Sequence, residues 1–378
     1  MFTLIQNGSV YAPEALGKQD VLLVNDKIVQ IGTVDELALG ALNVELEVID
    51  AADCLVTPGL IDPHEHVIGA GGEEGFNSRM PEIAVERLIE SGITTVVGLL
   101  GTDTTTRHLT CLHAKVKQIK TEGLSSYMYT GGFEIPPSKF LTRLMDDLVL
   151  IDEVIGTGEI AISDSRWVDP PLYELAKVVS ETMLGGKMSG KAGVTHFHVG
   201  ERKGRLTLLH QLVDEYDIPI GYLYPTHITR SPELLNDAIN LAKRGAYVDM
   251  DIVEENLADC LHTYQEGGGP MDKLTVSSDA HTPGGSPEKL YQQLVDCALE
   301  YDFTLEEILP CFTQNTANVL KLKNKGQLAA GMDADLLVLE SQSLGIRHVF
   351  ANGHHLMKNS RLVEKAQQTQ QVEESLPT

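Results

Sequence analysis

The chain has 378 residues, with 54 acidic against 29 basic side chains and a formal net charge of −25. That balance argues against binding nucleic acid or an anionic membrane, since both need clustered Lys and Arg. Hydrophobic residues at 42% and aromatics at 5% give an ordinary globular composition, sufficient for one large domain and a smaller one. No apolar run nears the ~18 residues of a membrane span, and residues 1–8 lack the pattern of a signal peptide. Cys54, Cys111, Cys260, Cys297 and Cys311 are odd in number and far apart, which predicts reduced thiols and a cytoplasmic setting.

Short β-rich stretches open the chain at residues 3–6, 21–25, 27–31 and 44–50, separated by turns such as Asn25-Asp26. Residues 335–339, 348–351 and 355–357 read alike around the turn Asn352-Gly353. Between these ends, apolar β-rich runs alternate with helical periodicity. The runs are 94–100, 126–130, 160–163, 194–199, 221–227, 247–252 and 274–278, with an eighth ending at His64-Glu65-His66. Helical segments are expected at 81–91, 107–122, 171–184, 205–216 and 232–244. Eight strand–helix units predict an α/β fold, a TIM-like (β/α)8 barrel, with a doubly wound open sheet as competitor. The expected division is a barrel over 58–325 and a small β-sandwich from both ends, 1–57 and 326–365. The Gln- and Glu-rich residues 366–378 read as a disordered tail.

His64 and His66, one residue apart at a strand end, project to the same face. His198, His227 and Asp279 each end a separate run, while Glu159 is read as beginning its run. Strand ends converge over the mouth of a barrel, and imidazoles with carboxylates gathered there suit a divalent transition metal, zinc above all. A lone HxH pair is as compatible with a structural role, and it is the joint placement that points to metal. His196 points the same way as His198 but deeper, so it reads as packing or support. Residues 69–75 form a Gly-rich loop without the Lys-Ser/Thr of a phosphate cradle. No Ser/His/Asp or Cys/His nucleophile pattern stands out.

The segment Gly59-Leu60-Ile61-Asp62-Pro63-His64-Glu65-His66, the later His198 and His227, and Ser277-Ser278-Asp279 together resemble the amidohydrolase superfamily. Gly69-Ala70-Gly71-Gly72-Glu73, the stretch from Val96 to Asp103, Ala161-Ile162-Ser163-Asp164-Ser165-Arg166 and Pro225-Thr226-His227-Ile228-Thr229-Arg230 narrow the likeness to isoaspartyl dipeptidases. The resemblance implies two zinc ions, His64 and His66 holding one with Asp279, and His198 and His227 the other. It implies an acidified bridging water, with Asp279 as general base and then acid, attacking the isopeptide bond of a β-aspartyl dipeptide. Glu73 would take the substrate ammonium, Arg166 and Arg230 its carboxylates, and Thr102 would add a hydroxyl. Homo-oligomers are the family's habit.

Two departures qualify that likeness. Where the family carries a carboxylated lysine between the metals, the matching residue is Glu159, able to supply the same carboxylate unless it misses the site. Where the family has a tyrosine donating to the oxyanion, Phe133 stands, and a lost donor costs about a hundred- to a thousandfold in turnover. Another donor, an introduced change or a slow paralogue would each account for Phe133. Rival readings are an amidohydrolase acting on cyclic amides or N-acyl amino acids, and a non-catalytic metal-binding protein. Glu134 and Asp103 hint at a cationic leaving residue rather than a hydrophobic one.

Overall fold

The computed structural model describes residues 2–41, 44–253 and 256–363. The tail expected at 366–378 lies outside the described residues. Six barrel strands pair in parallel in chain order: Leu60–Glu65, Ile93–Gly98, Ser125–Thr130, Val154–Ile162, Val194–Val199 and Leu223–Thr226. The last two, Val248–Asp251 and Leu274–Ser277, pair with each other. Most of these strands are buried on both faces, the polar Asp62, His64, Glu65, His196 and His198 included. The first and eighth strand ends meet: Glu65 bridges to Ala280, and the Asp62 carboxylate accepts from the backbone N–H groups of His64 and Ser278. The sheet therefore closes into a barrel, and the open alternative falls.

The fourth strand begins at Val154, not at Glu159, so Glu159 is its sixth residue and lies far along towards the mouth. Gly156 and Gly158 interrupt the β-branched Val154, Ile155 and Thr157 and so dilute the β signal of its first half. The helices expected at 232–244 and 205–216 form as Pro232–Lys243 and Thr207–Tyr216. Ser231 caps the former through Leu234 N–H and Pro232 occupies its first turn. Helices Leu144–Leu150, Leu257–Glu266, Pro287–Leu299, Leu305–Phe312 and Gln314–Val319 were not anticipated. Ser286 before Pro287 and the Thr304–Glu307 capping box announce two of them. The helix from Leu172 runs to Ser189, past the expected stop at 184. Gly185 and Gly186 do not end it; a Cβ on Gly186 would lie 2.4 Å from the Gly193 backbone, so glycine is what lets helix and strand approach.

Both chain ends enter one nine-stranded sheet. Phe2–Tyr11 pairs with Leu46–Asp50 along its first half and with Cys54–Pro58 further on, and Cys54–Pro58 joins Leu336–Glu340 from the far end. The two leaves of the expected sandwich are thus hydrogen-bonded into a single sheet folded around Ile5, Val21, Ile28, Val56 and Phe350. The two-residue side-chain period then divides Leu336–Glu340: Leu336 and Val338 enter that small core, while Leu337 and Leu339 pack in the core of the barrel. None of the cysteines forms a disulfide. Among the described residues no helix is long and apolar enough to cross a membrane.

Candidate metal centre and recognition cluster

Parallel register brings the C-terminal strand ends to one height: Glu65 opposite Gly98, His198 opposite Thr226, Asp251 opposite Ser277. Ser163, His227 and Asp279, each just beyond a strand, adopt left-handed backbone, a conformation that His and Asp tolerate better than most residues. His64, His66, Glu159, His198, His227 and Asp279 are all buried and converge there. Asp279 Oδ1 lies 3.2 Å from Nε2 of both His64 and His66. Glu159 Oε2 stands 2.9 Å from His198 Nδ1, 3.6 Å from His227 Nε2 and 3.8 Å from His64 Nε2; its Oε1 is 3.8 Å from His66 Nε2. Glu159 therefore faces all four imidazoles.

Burial by itself favours a neutral Glu159, but His198, His64 and His227 outweigh it and hold the carboxyl well below its usual range. Asp279 is likewise ionised against the effect of burial, through His64 and His66. Burial and Arg230 push His227 down, yet Asp251 and Glu159 raise it to about 9. Burial keeps His196 neutral, well below the ordinary imidazole value.

Among the described residues, three sets of ligand atoms lie close enough to hold a metal ion: His64, His66 and Asp279; His64, Glu159 and His227; His227, Asp251 and Asp279. His64 Nε2 and Asp279 Oδ1 face each other at 3.2 Å but, among the described residues, neither has a partner in hydrogen-bond geometry, a costly arrangement for two buried polar atoms. Imidazole nitrogens and carboxylate oxygens in this number form the donor set of a divalent transition metal, so the residues fit the group.

Asp251 and Asp164 escaped the sequence reading. Asp251 Oδ2 accepts from His227 Nδ1 at 2.8 Å, and Asp164 Oδ2 sits 3.0 Å from His198 Nε2. Such outer carboxylates orient ligating imidazoles. The signal for Asp251 was present, since it ends the seventh barrel strand, the position rule already applied to its neighbours. His281, also passed over, is buried beside Arg87 and points Nδ1 at the Pro81 carbonyl.

A second group of residues rims the centre. Glu73 accepts from Thr102 Oγ1 at 2.6 Å and from Arg166 Nη1 at 2.7 Å. Arg166 also forks onto Asp164 through Nε and Nη2, and Nη2 lies 2.9 Å from His198 Nε2. Arg230 Nη1 donates to the Val199 carbonyl and lies 3.0 Å from the same His198 nitrogen. Phe133 is 3% exposed, edge-on to the His198 ring and beneath the Arg166 guanidinium, 5.0 Å from its Cζ. Its carbonyl accepts from Ala161 N–H, pinning the loop to the fourth strand. Asp103 offers nothing to a cationic ligand, because Arg79, Arg107 and the Thr105 and Thr106 N–H groups already occupy it. Glu134 gives one oxygen to Thr104.

Residues 195–356 match the model of the amidohydrolase family. The structure superimposes with a TM-score of 0.92 on β-aspartyl dipeptidase of the keratin-degrading thermophile Fervidobacterium islandicum AW-1. The two are 40% identical over 97% of this chain and 100% of that one. The chain belongs to the β-aspartyl dipeptidase family. A second structure of that dipeptidase, in complex with β-Asp-Leu, matches at 39% identity with a TM-score of 0.91. Dihydroorotase of Lactobacillus johnsonii is 24% identical over 90% of this chain and 89% of its own length. D-Hydantoinase from a Thermus species, 15% identical with a TM-score of 0.65, shares the fold.

Proposed function

We propose that the chain hydrolyses the side-chain amide of β-aspartyl dipeptides, releasing aspartate and an amino acid, with two zinc ions held at the barrel mouth. The observation that carries this is Arg166, which joins the recognition cluster to the strand-end cluster by touching Glu73, Asp164 and His198 at once. His64, His66 and Asp279 would hold one ion and His198 and His227 the other, with Glu159 between. Zinc in such a cluster supplies Lewis acidity and an acidified water at neutral pH.

The chain's own residues do the rest. Asp279, ionised and buried, takes the water's proton at a carboxylate oxygen and returns it to the leaving amine nitrogen. Glu73 receives the substrate ammonium, and Arg166 and Arg230 receive carboxylates as planar forks. Thr102, already bonded to Glu73, holds that carboxylate in place. Glu73 and Arg166 neutralise each other before substrate arrives, so a zwitterion exchanges for the pair without stranding either charge. Homo-oligomerisation and a cytoplasmic setting belong to the same proposal, the first from the family likeness, the second from cysteines that form no disulfide.

The test is hydrolysis of β-Asp-Leu and β-Asp-Arg beside α-Asp-Leu by zinc-loaded protein at neutral pH. Cleavage confined to the β-linked pair supports the reading, and their ratio reports the preferred leaving residue. Cleavage of neither β-linked dipeptide, by wild type or by Phe133→Tyr, overturns it in favour of other amides.

A further inference from the structure

His196 lies two residues before His198 on the fifth barrel strand, fully buried between the rings of Tyr129 and Tyr224. Its Nδ1 is 3.0 Å from the Tyr224 backbone carbonyl, and its Nε2 is 2.8 Å from Nδ1 of His64. A carbonyl oxygen only accepts, so His196 Nδ1 carries the proton. A neutral imidazole has one donor and one acceptor, so Nε2 accepts and His64 Nδ1 donates. Neutral, as an imidazole must be to bind a metal, His64 is then left with an unprotonated Nε2, the atom 3.2 Å from Asp279 Oδ1. We propose that His196 is a positioning residue which, braced by the Tyr224 carbonyl, selects the tautomer and ring orientation in which His64 presents Nε2 to a metal ion.

The inference rests on the reading of the strand-end cluster as a metal centre. Within that cluster the histidines are braced by different chemistry. His227 leans on Asp251 and His198 on Asp164, both carboxylates. His64 leans on a neutral ring instead, which orients it without adding a further negative charge to those of Glu159, Asp251 and Asp279. A residue that merely filled space between two tyrosines would need neither hydrogen bond; His196 makes both, in the one donor–acceptor order that leaves His64 Nε2 free.

The experiment is zinc titration against a chromophoric chelator, applied to wild type, His196→Phe, His196→Gln and Tyr129→Phe. His196→Phe keeps an aromatic filler and removes the acceptor. One of the two zinc affinities should fall about tenfold to a hundredfold, the usual cost of losing an outer-shell partner, with the other unchanged. His196→Gln, whose side-chain carbonyl reaches the Nε2 position, should recover most of the loss. Tyr129→Phe removes a buried hydroxyl that has no hydrogen-bond partner among the described residues and should change neither affinity. Should His196→Phe fail to fold, as judged by circular dichroism of the metal-free protein, His196→Asn replaces it, being too short to reach His64. Equal affinities in all variants, or both sites falling together in the Phe and Gln variants alike, overturn the proposal. Wild type that binds no zinc overturns the metal centre itself, and this inference with it.

Discussion

The strand-end cluster and the recognition rim share His198 as a neighbour but are built on different supports. The cluster residues sit on or just after barrel strands, are almost wholly enclosed, and inherit their positions from ladder register. The rim residues Glu73, Thr102 and Arg166 sit on loops, with the Glu73 and Arg166 side chains 43% and 40% exposed, and they satisfy one another. A buried carboxylate among imidazoles has few alternatives to binding a cation, since each uncompensated charge is costly. A half-exposed ion pair has water as an alternative and can open for a ligand at small cost. The scaffold holds the chemistry rigid and leaves selection to groups that can move.

The largest effect is expected from a change in the cluster. Asp279→Asn should cut turnover by about a hundredfold to ten-thousandfold while the protein keeps bound zinc through its histidines, measured by steady-state kinetics beside metal content. Ordinary turnover in this variant would remove Asp279 from its proton-handling role. Phe133→Tyr tests the boundary between the two regions. A hydroxyl offered beneath Arg166 and beside His198 should raise kcat by up to about a hundredfold if an oxyanion donor is missing, and an unchanged kcat would mean that another group already donates.

On the rim, Glu73→Gln leaves Arg166 bonded to Asp164 but removes the charge meant for the ammonium. It should lower kcat/KM by about tenfold to a hundredfold with zinc content unchanged, whereas a fall in zinc content would tie the rim to the metal centre. The smallest effect lies away from both regions, at Glu153. Burial tends to raise its carboxyl, but His113 and Lys120 outweigh this and hold it down at about 2. A depressed folded value adds stability that is present above the unfolded value near 4.5 and is lost as pH falls towards 2. Glu153→Gln should therefore cost about 1 kcal/mol or less in urea unfolding at pH 7, with the difference vanishing near pH 2. A cost that persists at pH 2 would mean packing, not charge, is lost there.

Alternating apolar runs and helical periods foretold the strand–helix units but not whether the sheet closes, because buried strands and amphipathic helices leave only a local period in the chain. The ligand candidates were legible for the same reason, since one strand-end position rule selected His64, His66, His198, His227 and Asp279. Applied once more, that rule would have found Asp251. Glu159 stands out only through the family motif, and its strand starts at Val154, five residues earlier than its β-branched run suggests, because glycines dilute the β signal ahead of it. Helices at 257–266 and 287–299 went unread although cap residues announced them.

By itself, then, the sequence determined the order of strand–helix units and the kinds of atoms at the strand ends, because burial and period are local properties of a chain. Only the tertiary structure decided who faces whom: that Glu159 reaches four imidazoles, that Arg166 is held by Asp164 and Glu73 together, that Asp103 is spent on Arg79 and Arg107, and that His64 leans on His196. Those pairings join residues on different strands and loops, and closure of the barrel, which no local pattern encodes, is what sets their distances.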